Sequence, residues 1–281
     1  MEISSDKIRD LRERTGVGMG KCKEALVLAG GDMEKAIDHL RKTGMAAGVK
    51  KEGRETKEGM ILVKENSSAF VMLEANAETD FVVQNDRFKA FVEDVAQQAL
   101  ESKPQSLDAL LAEPYSKDKT ITIDQYRSLV IQTLGENIQV RRLQVMHKYQ
   151  AHSYGIYSHM GGKLVVVVDL EGATGQEALA KEIAMHIAAE SPDYLRIEEV
   201  PSQVREREEE IALSQIKGKP ENLVEKIVAS KLQAFYAQVC LLHQKYVKDN
   251  AVTVAEFLER RGKELGKTLS VHSFWRWKVG Q

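Results

Sequence analysis

The chain has 281 residues, enough for two or three domains of ordinary size. Its 40 basic and 42 acidic residues nearly cancel, so the overall charge lacks the concentrated positive field that nucleic acid binding requires. The two cysteines, Cys22 and Cys240, lie far apart and form no CxxC or zinc pattern, which excludes a disulfide framework and indicates a reducing compartment.

The first forty or so residues predict three short helices. Each carries apolar residues at helical spacing, and glycines mark the helix ends. Asp32 is a good N-cap for the third helix, which we expect to end near Gly44. We assign residues 1–47 to this three-helix module and the charged, glycine-rich stretch 48–58 to a linker.

A region of mixed strands and helices follows, and we assign it to residues 59–150. The predicted elements are strands at 60–63 and 70–77, an amphipathic helix after Phe81, a short helix at 107–111, a helix ending at Gly135 and a strand at 140–147. The rest of residues 104–123 is expected to be irregular. The two strands form a hairpin, and the amphipathic helix is expected to pack on it.

The order of hairpin, helix and later strand repeats in residues 151–281. The predicted elements are strands at 154–159 and 163–170, helices at 176–190 and 254–265, and a last strand at 270–279. Residues 201–248 read as an inserted antiparallel helical hairpin with one apolar seam and a turn at 218–220. The predicted fold is therefore α+β, with a three-helix module, two small pseudo-repeated subdomains with antiparallel sheets, and the inserted helical hairpin.

The sequence contains no recognisable catalytic or metal-binding pattern. It has no GxxxxGK[ST] phosphate loop, and its seven histidines are scattered without HExxH spacing. Cys22 lies on the apolar face of a predicted helix and is interpreted as a small core residue. We therefore expect a binding protein, without cofactor or metal, rather than an enzyme.

The segment Thr79-Asp80-Phe81-Val82 lies between the second strand of the hairpin and the helix that follows. A phenylalanine at such a junction either packs into the core or faces a partner. Residue type alone favours burial, because Phe is among the more buried residues. The two alternatives lead to different functions.

Several motifs resemble bacterial elongation factor Ts, in order and spacing, from residue 3 to about 280. The motifs lie at 8–19, 22–26, 31–37, 78–82, 135–142 and 184–189. The resemblance implies a guanine-nucleotide exchange factor that binds elongation factor Tu, both GDP-bound and nucleotide-free. It also implies that the N-terminal module is of the UBA-like type.

The resemblance assigns the central role to the Asp-Phe pair. In the family this pair enters the GTPase near its magnesium and phosphate site, which maps to Asp80 and Phe81, with Thr79 and Val82 framing them. GTPases depend on magnesium to hold the nucleotide tightly. A factor that binds the state with a disturbed metal site better than the intact state therefore promotes exchange of GDP for GTP.

Further GTPase contacts are implied outside this segment. They map to Leu134, Gly135 and His159, and, in the N-terminal module, to Met19 and Lys23. Without the resemblance, His159 would be read as an exposed polar residue in a turn between strands. The sequence does not determine the oligomeric state and leaves a homo-oligomer open.

Two other hypotheses stay open beside exchange. One is a non-catalytic interaction scaffold, and the other is an RNA-associated translation protein that uses Lys50-Lys51 and Arg141-Arg142. We find no signal peptide and no apolar run near the roughly 20 residues of a membrane span, so we expect a cytoplasmic protein without a membrane partner.

Overall fold

The computed structural model describes residues 3–216 and 221–281, so the predicted turn at 218–220 lies outside the described residues. Its backbone contacts divide the chain into two units. The first runs to Lys148 and includes Val279–Gln281, and the second is Tyr149–Lys278. Both units combine helices with antiparallel strands, which confirms the predicted α+β class. The finer domain boundaries stay a prediction.

Three helices open the first unit: α1 (Ser5–Thr15), α2 (Met19–Leu28) and α3 (Met33–Lys51). Asp32 caps α3 as predicted, because its Oδ1 accepts a hydrogen bond from the backbone of Lys35 at 3.0 Å. The three helices share a small core. It is built from the buried side chains of Ile8, Leu11, Val17, Cys22, Ala25, Leu26, Ala36 and Leu40, which confirms the interpretation of Cys22.

Helix α3 continues past Gly44 to Lys51, so its predicted end is wrong and the first residues of the predicted linker are helical. The two glycines lie against a neighbouring helix instead of ending this one. A Cβ atom at Gly48 would lie 2.7 Å from Ser128 Oγ, and one at Gly44 would lie 3.0 Å from Gln132 Oε1. The absence of a side chain therefore permits close helix packing at a small cost in helix propensity.

The rest of the first unit is a three-stranded antiparallel sheet with helices. Its elements are β1 (Glu58–Glu65), β2 (Ala69–Ala77), α4 (Asp80–Gln84), α5 (Asp86–Ser102), α6 (Leu107–Ala112), β3 (Pro114–Tyr115), β4 (Asp118–Thr122), α7 (Ile123–Leu134) and β5 (Ile138–His147). The sheet has the order β1-β2-β5. Alternate residues of β2 and the apolar face of α5 form one core cluster. The stretch predicted as irregular contains the small β3–β4 hairpin.

The second unit repeats this plan with an insertion. Its elements are β6 (His152–His159), β7 (Leu164–Glu171), α8 (Glu177–Glu190), α9 (Ser202–Ser214), α10 (Glu221–Val239), β8 (Lys245–Tyr246), β9 (Asp249–Thr253), α11 (Val254–Leu265) and β10 (Ser270–Lys278). The sheet order is β10-β7-β6. Helix α10 ends before the predicted end of the insertion at 248, because Leu241 and Leu242 pack into the main core of the unit.

The repeat extends to individual side chains. Tyr115 stacks on Tyr126 with ring centroids 4.2 Å apart, and in the second unit Tyr246 stacks on Phe257 at 4.1 Å. In both units the first aromatic lies in a small hairpin and the second in the helix that follows. The same capping box opens both helices: Thr122 with Gln125 in α7, and Thr253 with Glu256 in α11.

Candidate functional site

The segment Thr79–Val82 forms the start of α4, a separate five-residue helix between β2 and α5. Thr79 is its N-cap, with extended backbone angles of −129° and 157°, and its hydroxyl accepts a hydrogen bond from Val82 N at 3.4 Å. Val82 and Val83 are buried in the main core of the first unit. One face of α4 is therefore anchored to the body of the protein.

Phe81 lies on the opposite face of α4 and is 83% exposed, the highest value for a large apolar side chain among the described residues. The burial favoured by residue type is therefore wrong. The two consecutive valines occupy the inward face of this short helix, which leaves only the outward direction for Phe81. The neighbouring Asp80 is also exposed, and within residues 3–216 and 221–281 its carboxylate has no hydrogen-bond or charged partner.

Two glutamates that the sequence analysis did not select, Glu136 and Glu78, form hydrogen bonds at the start of this segment. Glu136 accepts hydrogen bonds from Thr79 N at 3.0 Å and from Thr79 Oγ1 at 2.7 Å. Glu78 accepts one from Asn137 N at 2.6 Å. Their positions at the ends of two strands that could pair were the available signal, but sequence alone does not show that β2 and β5 are neighbours.

The structure brings the predicted Leu134 and Gly135 to the same region. Gly135 ends α7 with a left-handed φ of 84° and is exposed, while Leu134 is half-buried. Lys51, at the end of α3, donates a hydrogen bond to the carbonyl of Gly135. The turn that contains Gly135 therefore connects α7, the end of α3 and, through Glu136, the start of α4.

Met19 and Lys23 lie one turn apart on the exposed face of α2. Val27 and Leu28 extend this exposed surface toward the end of the helix, and the sequence analysis did not select them. A hydrophobic pair that falls off the buried stripe of a short helix could have drawn attention to them.

His159 lies in the second unit, at the end of β6, and is exposed as expected for a turn. Its Nδ1 is 3.0 Å from the hydroxyl of Tyr157. The adjacent Met160 has a positive φ of 51° and is 75% exposed. The tip of this hairpin therefore presents an apolar side chain beside the imidazole, which the sequence analysis missed.

Two of the four cations proposed for RNA binding have partners inside the first unit. Arg142 forms an ion pair with Glu74, a fully buried residue, with 2.7 Å between Nε and Oε2. Lys51 donates to the Gly135 carbonyl. Arg141 and Lys50 are exposed. The four cations therefore do not form one uncommitted basic patch.

In the described part of the chain, no helix is long and apolar enough to cross a membrane.

Comparison with known proteins shows the family to which the chain belongs. The family model described as Elongation factor TS matches residues 78–281, which include α4 and the whole sheet of the second unit. The α+β fold and this match define the protein as a translation elongation factor. Elongation factor Ts of Protochlamydia amoebophila is 55% identical over 274 residues, 98% of this chain and 97% of that protein.

Two further relatives cover almost the whole chain. Elongation factor Ts of Chlamydia caviae is 43% identical over 278 residues, and that of Chlamydia muridarum is 43% identical over 279 residues. In both cases the alignment spans 99% of each chain. The chain belongs to the elongation factor Ts family, as the motifs in its sequence predict.

Proposed function

We propose that this protein binds elongation factor Tu, in its GDP-bound and nucleotide-free forms, and promotes the exchange of GDP for GTP. The observation that carries the proposal is the exposure of Phe81 on a helix whose other face is buried. Large exposed aromatic side chains are enriched at the centres of protein interfaces. The family relationship supports elongation factor Tu as the partner.

In this proposal, Asp80 and Phe81 enter the GTPase near its magnesium and phosphate site. Burial of a phenylalanine side chain contributes about 1.5–3 kcal/mol to binding. In this proposal, the intact metal site of the GTPase opposes entry of the ring, so this free energy favours the state with a disturbed metal site. The Asp80 carboxylate brings a negative charge toward a site that holds phosphate, and so raises the free energy of bound GDP. Binding of factor and nucleotide then weaken each other by the same factor.

We include the other predicted contacts in this proposal. Leu134 and Gly135 lie next to the Thr79 anchor, Met19 and Lys23 are exposed on α2, and His159 is exposed on the second unit. Exchange makes and breaks no covalent bond, so the factor acts without chemical catalysis. We place this activity in the cytoplasm, with the other steps of translation.

The proposal is tested by stopped-flow release of fluorescent GDP from elongation factor Tu. Truncation of a central interface aromatic costs about 2 kcal/mol or more, so Phe81→Ala should slow the factor-stimulated release at least about tenfold. The matched control is Leu265→Ala, which removes another partly exposed apolar side chain, 38% exposed, at the end of α11. We expect this control to match the wild-type rate.

The circular dichroism spectrum and thermal unfolding of Phe81→Ala should match those of the wild-type protein, because the ring makes few intramolecular contacts. Wild-type release rates for Phe81→Ala, or no stimulation by the unmodified chain, would contradict the proposal.

A further inference from the structure

The carboxylate of Glu136 accepts two hydrogen bonds from Thr79, the N-cap residue of helix α4. We propose that Glu136 is a positioning residue for nucleotide exchange, which holds α4 so that Asp80 and Phe81 point toward the GTPase. This inference rests on the proposed function and deepens it. It assigns a role to a residue that touches neither the nucleotide nor, by itself, the exposed ring.

The grip of Glu136 on Thr79 has two parts. Oε2 accepts the backbone N–H of Thr79 at 3.0 Å, and Oε1 accepts the hydroxyl proton of Thr79 at 2.7 Å. Because the hydroxyl donates to Glu136, its lone pairs are free to accept the N–H of Val82, 3.4 Å away in the first turn of α4. The carboxylate therefore orients the cap that begins the helix.

The carboxylate of Glu78 makes a similar bond in the opposite direction, and we call Glu78 and Glu136 together the clamp. The last backbone pair between β2 and β5 joins Ala77 and Ile138. Beyond this pair, Glu78 accepts from Asn137 N at 2.6 Å, while Glu136 accepts from Thr79 N. The two side chains thus continue the pairing of the strands past its end, each bonded to the backbone of the opposite segment.

The clamp also reaches the segment that follows α3. Asn137 is fully buried, and its Nδ2 donates to the carbonyl of Arg54 at 2.8 Å. Arg54 in turn forms an ion pair with Glu78, with 3.4 Å between the two atoms. Three chain segments therefore meet beneath α4, which makes the base of the helix rigid.

Rigidity matters here because α4 has only five residues, too few to be stable as an isolated helix. Phe81 is uncovered, so its direction depends on the backbone of α4. Without the clamp, the first turn would fray, and the bound state would have to order it again at an entropic cost. Hydrogen bonds to a charged acceptor are the stronger kind, so one residue can control this.

A double-mutant cycle tests the inference. The rate of GDP release from elongation factor Tu is measured for the wild type, Glu136→Ala, Phe81→Ala and the double variant. We expect Glu136→Ala to slow release about three- to tenfold in the wild-type background and less than twofold in the Phe81→Ala background. Equal slowing in both backgrounds would overturn the inference, because Glu136 would then act independently of Phe81.

The chain offers a matched control. Glu256 also accepts the backbone N–H of an N-cap threonine, Thr253, at 2.6 Å, but on α11 of the second unit. Glu256→Ala should lower thermal stability to an extent similar to Glu136→Ala and leave the release rate unchanged. Loss of release activity in both variants would indicate a general folding effect and overturn the positioning role.

Conservative variants and hydrogen exchange separate positioning from folding. Thr79→Ser keeps the hydroxyl and should slow release less than Thr79→Val, which should resemble Glu136→Ala. Glu136→Gln keeps one acceptor and the side-chain size, so its release rate should lie between those of the wild type and Glu136→Ala. In the free protein, the amides of Thr79 and Val82 should exchange faster in Glu136→Ala than in the wild type, and unchanged exchange would overturn the inference.

The proposed exchange mechanism and the positioning role of Glu136 can be rejected separately. A wild-type rate of GDP release for Phe81→Ala would reject the proposed exchange mechanism. The rate of amide hydrogen exchange at Thr79 would still test whether Glu136 holds the start of α4. A slow Phe81→Ala variant together with a fast Glu136→Ala variant would reject only the positioning role.

Discussion

A buried histidine on α8 shows how one residue responds to its surroundings. His186 is fully buried, and its Nδ1 accepts a hydrogen bond from Val247 N at 3.2 Å. The proton is therefore on Nε2, which donates to Gln244 Oε1 at 3.0 Å. Burial lowers the pKa of His186. The ring is therefore a neutral structural element.

In the first unit, a glutamine makes the equivalent hydrogen bonds. Gln98 on α5 accepts from Ser116 N at 2.8 Å and donates to Pro114 O at 3.0 Å. Like His186, it lies on a helix that packs on the sheet of its unit, and it bonds the small hairpin that follows. The two side chains therefore play equivalent roles in the two halves of the repeat.

We predict that His186→Gln reduces the acid sensitivity of the protein. The unfolded chain binds a proton at the ordinary histidine pKa of about 6.5, but the folded protein does so only at a lower pH. Below about pH 6.5 the unfolded state therefore binds more protons, and the free energy of unfolding falls as the pH falls. Glutamine does not titrate and can make the bonds that Gln98 makes.

This prediction is checked by guanidinium unfolding at pH 7.5 and pH 5.5. The loss of stability between the two values should be smaller for His186→Gln than for the wild type. An equal loss in both proteins would show that His186 does not contribute to the acid response.

At the scale of elements, the pair α9 and α10 is the insertion that the second unit carries within the repeated plan. A cluster around Ala212, Ile216 and Val228 joins the end of α9 to the first part of α10. A separate cluster around Val200, Tyr236 and Cys240 lies at their base. There, Leu241 N bonds to Tyr194 O at 2.9 Å, so the chain enters and leaves the insertion at neighbouring points.

We predict that residues 205–231 can be replaced by a short Gly-Ser linker without loss of the fold. The shortened chain keeps the base cluster and both sheets, because the removed residues supply mainly the cluster between α9 and α10. Near-ultraviolet circular dichroism and cooperative thermal unfolding should persist. Tyr236→Ala is the contrasting variant, which should cost about 3–5 kcal/mol because it opens a cavity in the base. Unfolding of the shortened chain would contradict this prediction.

At the scale of the whole molecule, the net charge of −2 and the pairing of basic side chains argue against binding through phosphates. Many cations are committed to acidic neighbours, as Arg41 is to Asp118 at 2.6 Å and Lys148 to Glu65 at 2.6 Å. Ion pairs of this kind reduce the field available to a polyanion. The protein scaffold hypothesis and the exchange hypothesis both fit this distribution better than the RNA hypothesis.

We predict that the purified protein shows no measurable binding of a single-stranded RNA oligonucleotide at micromolar protein concentration in about 150 mM salt. Fluorescence anisotropy over a series of salt concentrations is the measurement. Tight binding that falls steeply with salt and weakens in Lys50→Ala and Arg141→Ala, the two exposed cations of the RNA hypothesis, would contradict the prediction.

The sequence by itself determined the features that depend on neighbouring residues. The cap at Asp32, the helix end at Gly135, the hairpin of β1 and β2 and the order of the repeat all follow from local signals. The family motifs also lie in the sequence. A cap or a left-handed glycine acts within one or two turns, so a linear pattern is enough to predict it.

The tertiary structure alone decided which side chains face outward and which distant residues support them. Phe81 is exposed because Val82 and Val83 occupy the inner face of α4, and Thr79 is held by Glu136, a partner 57 positions away. Gly48 continues a helix because it meets Ser128. Burial and hydrogen bonding of this kind depend on which strands and helices become neighbours in space, and no periodicity within a segment encodes that.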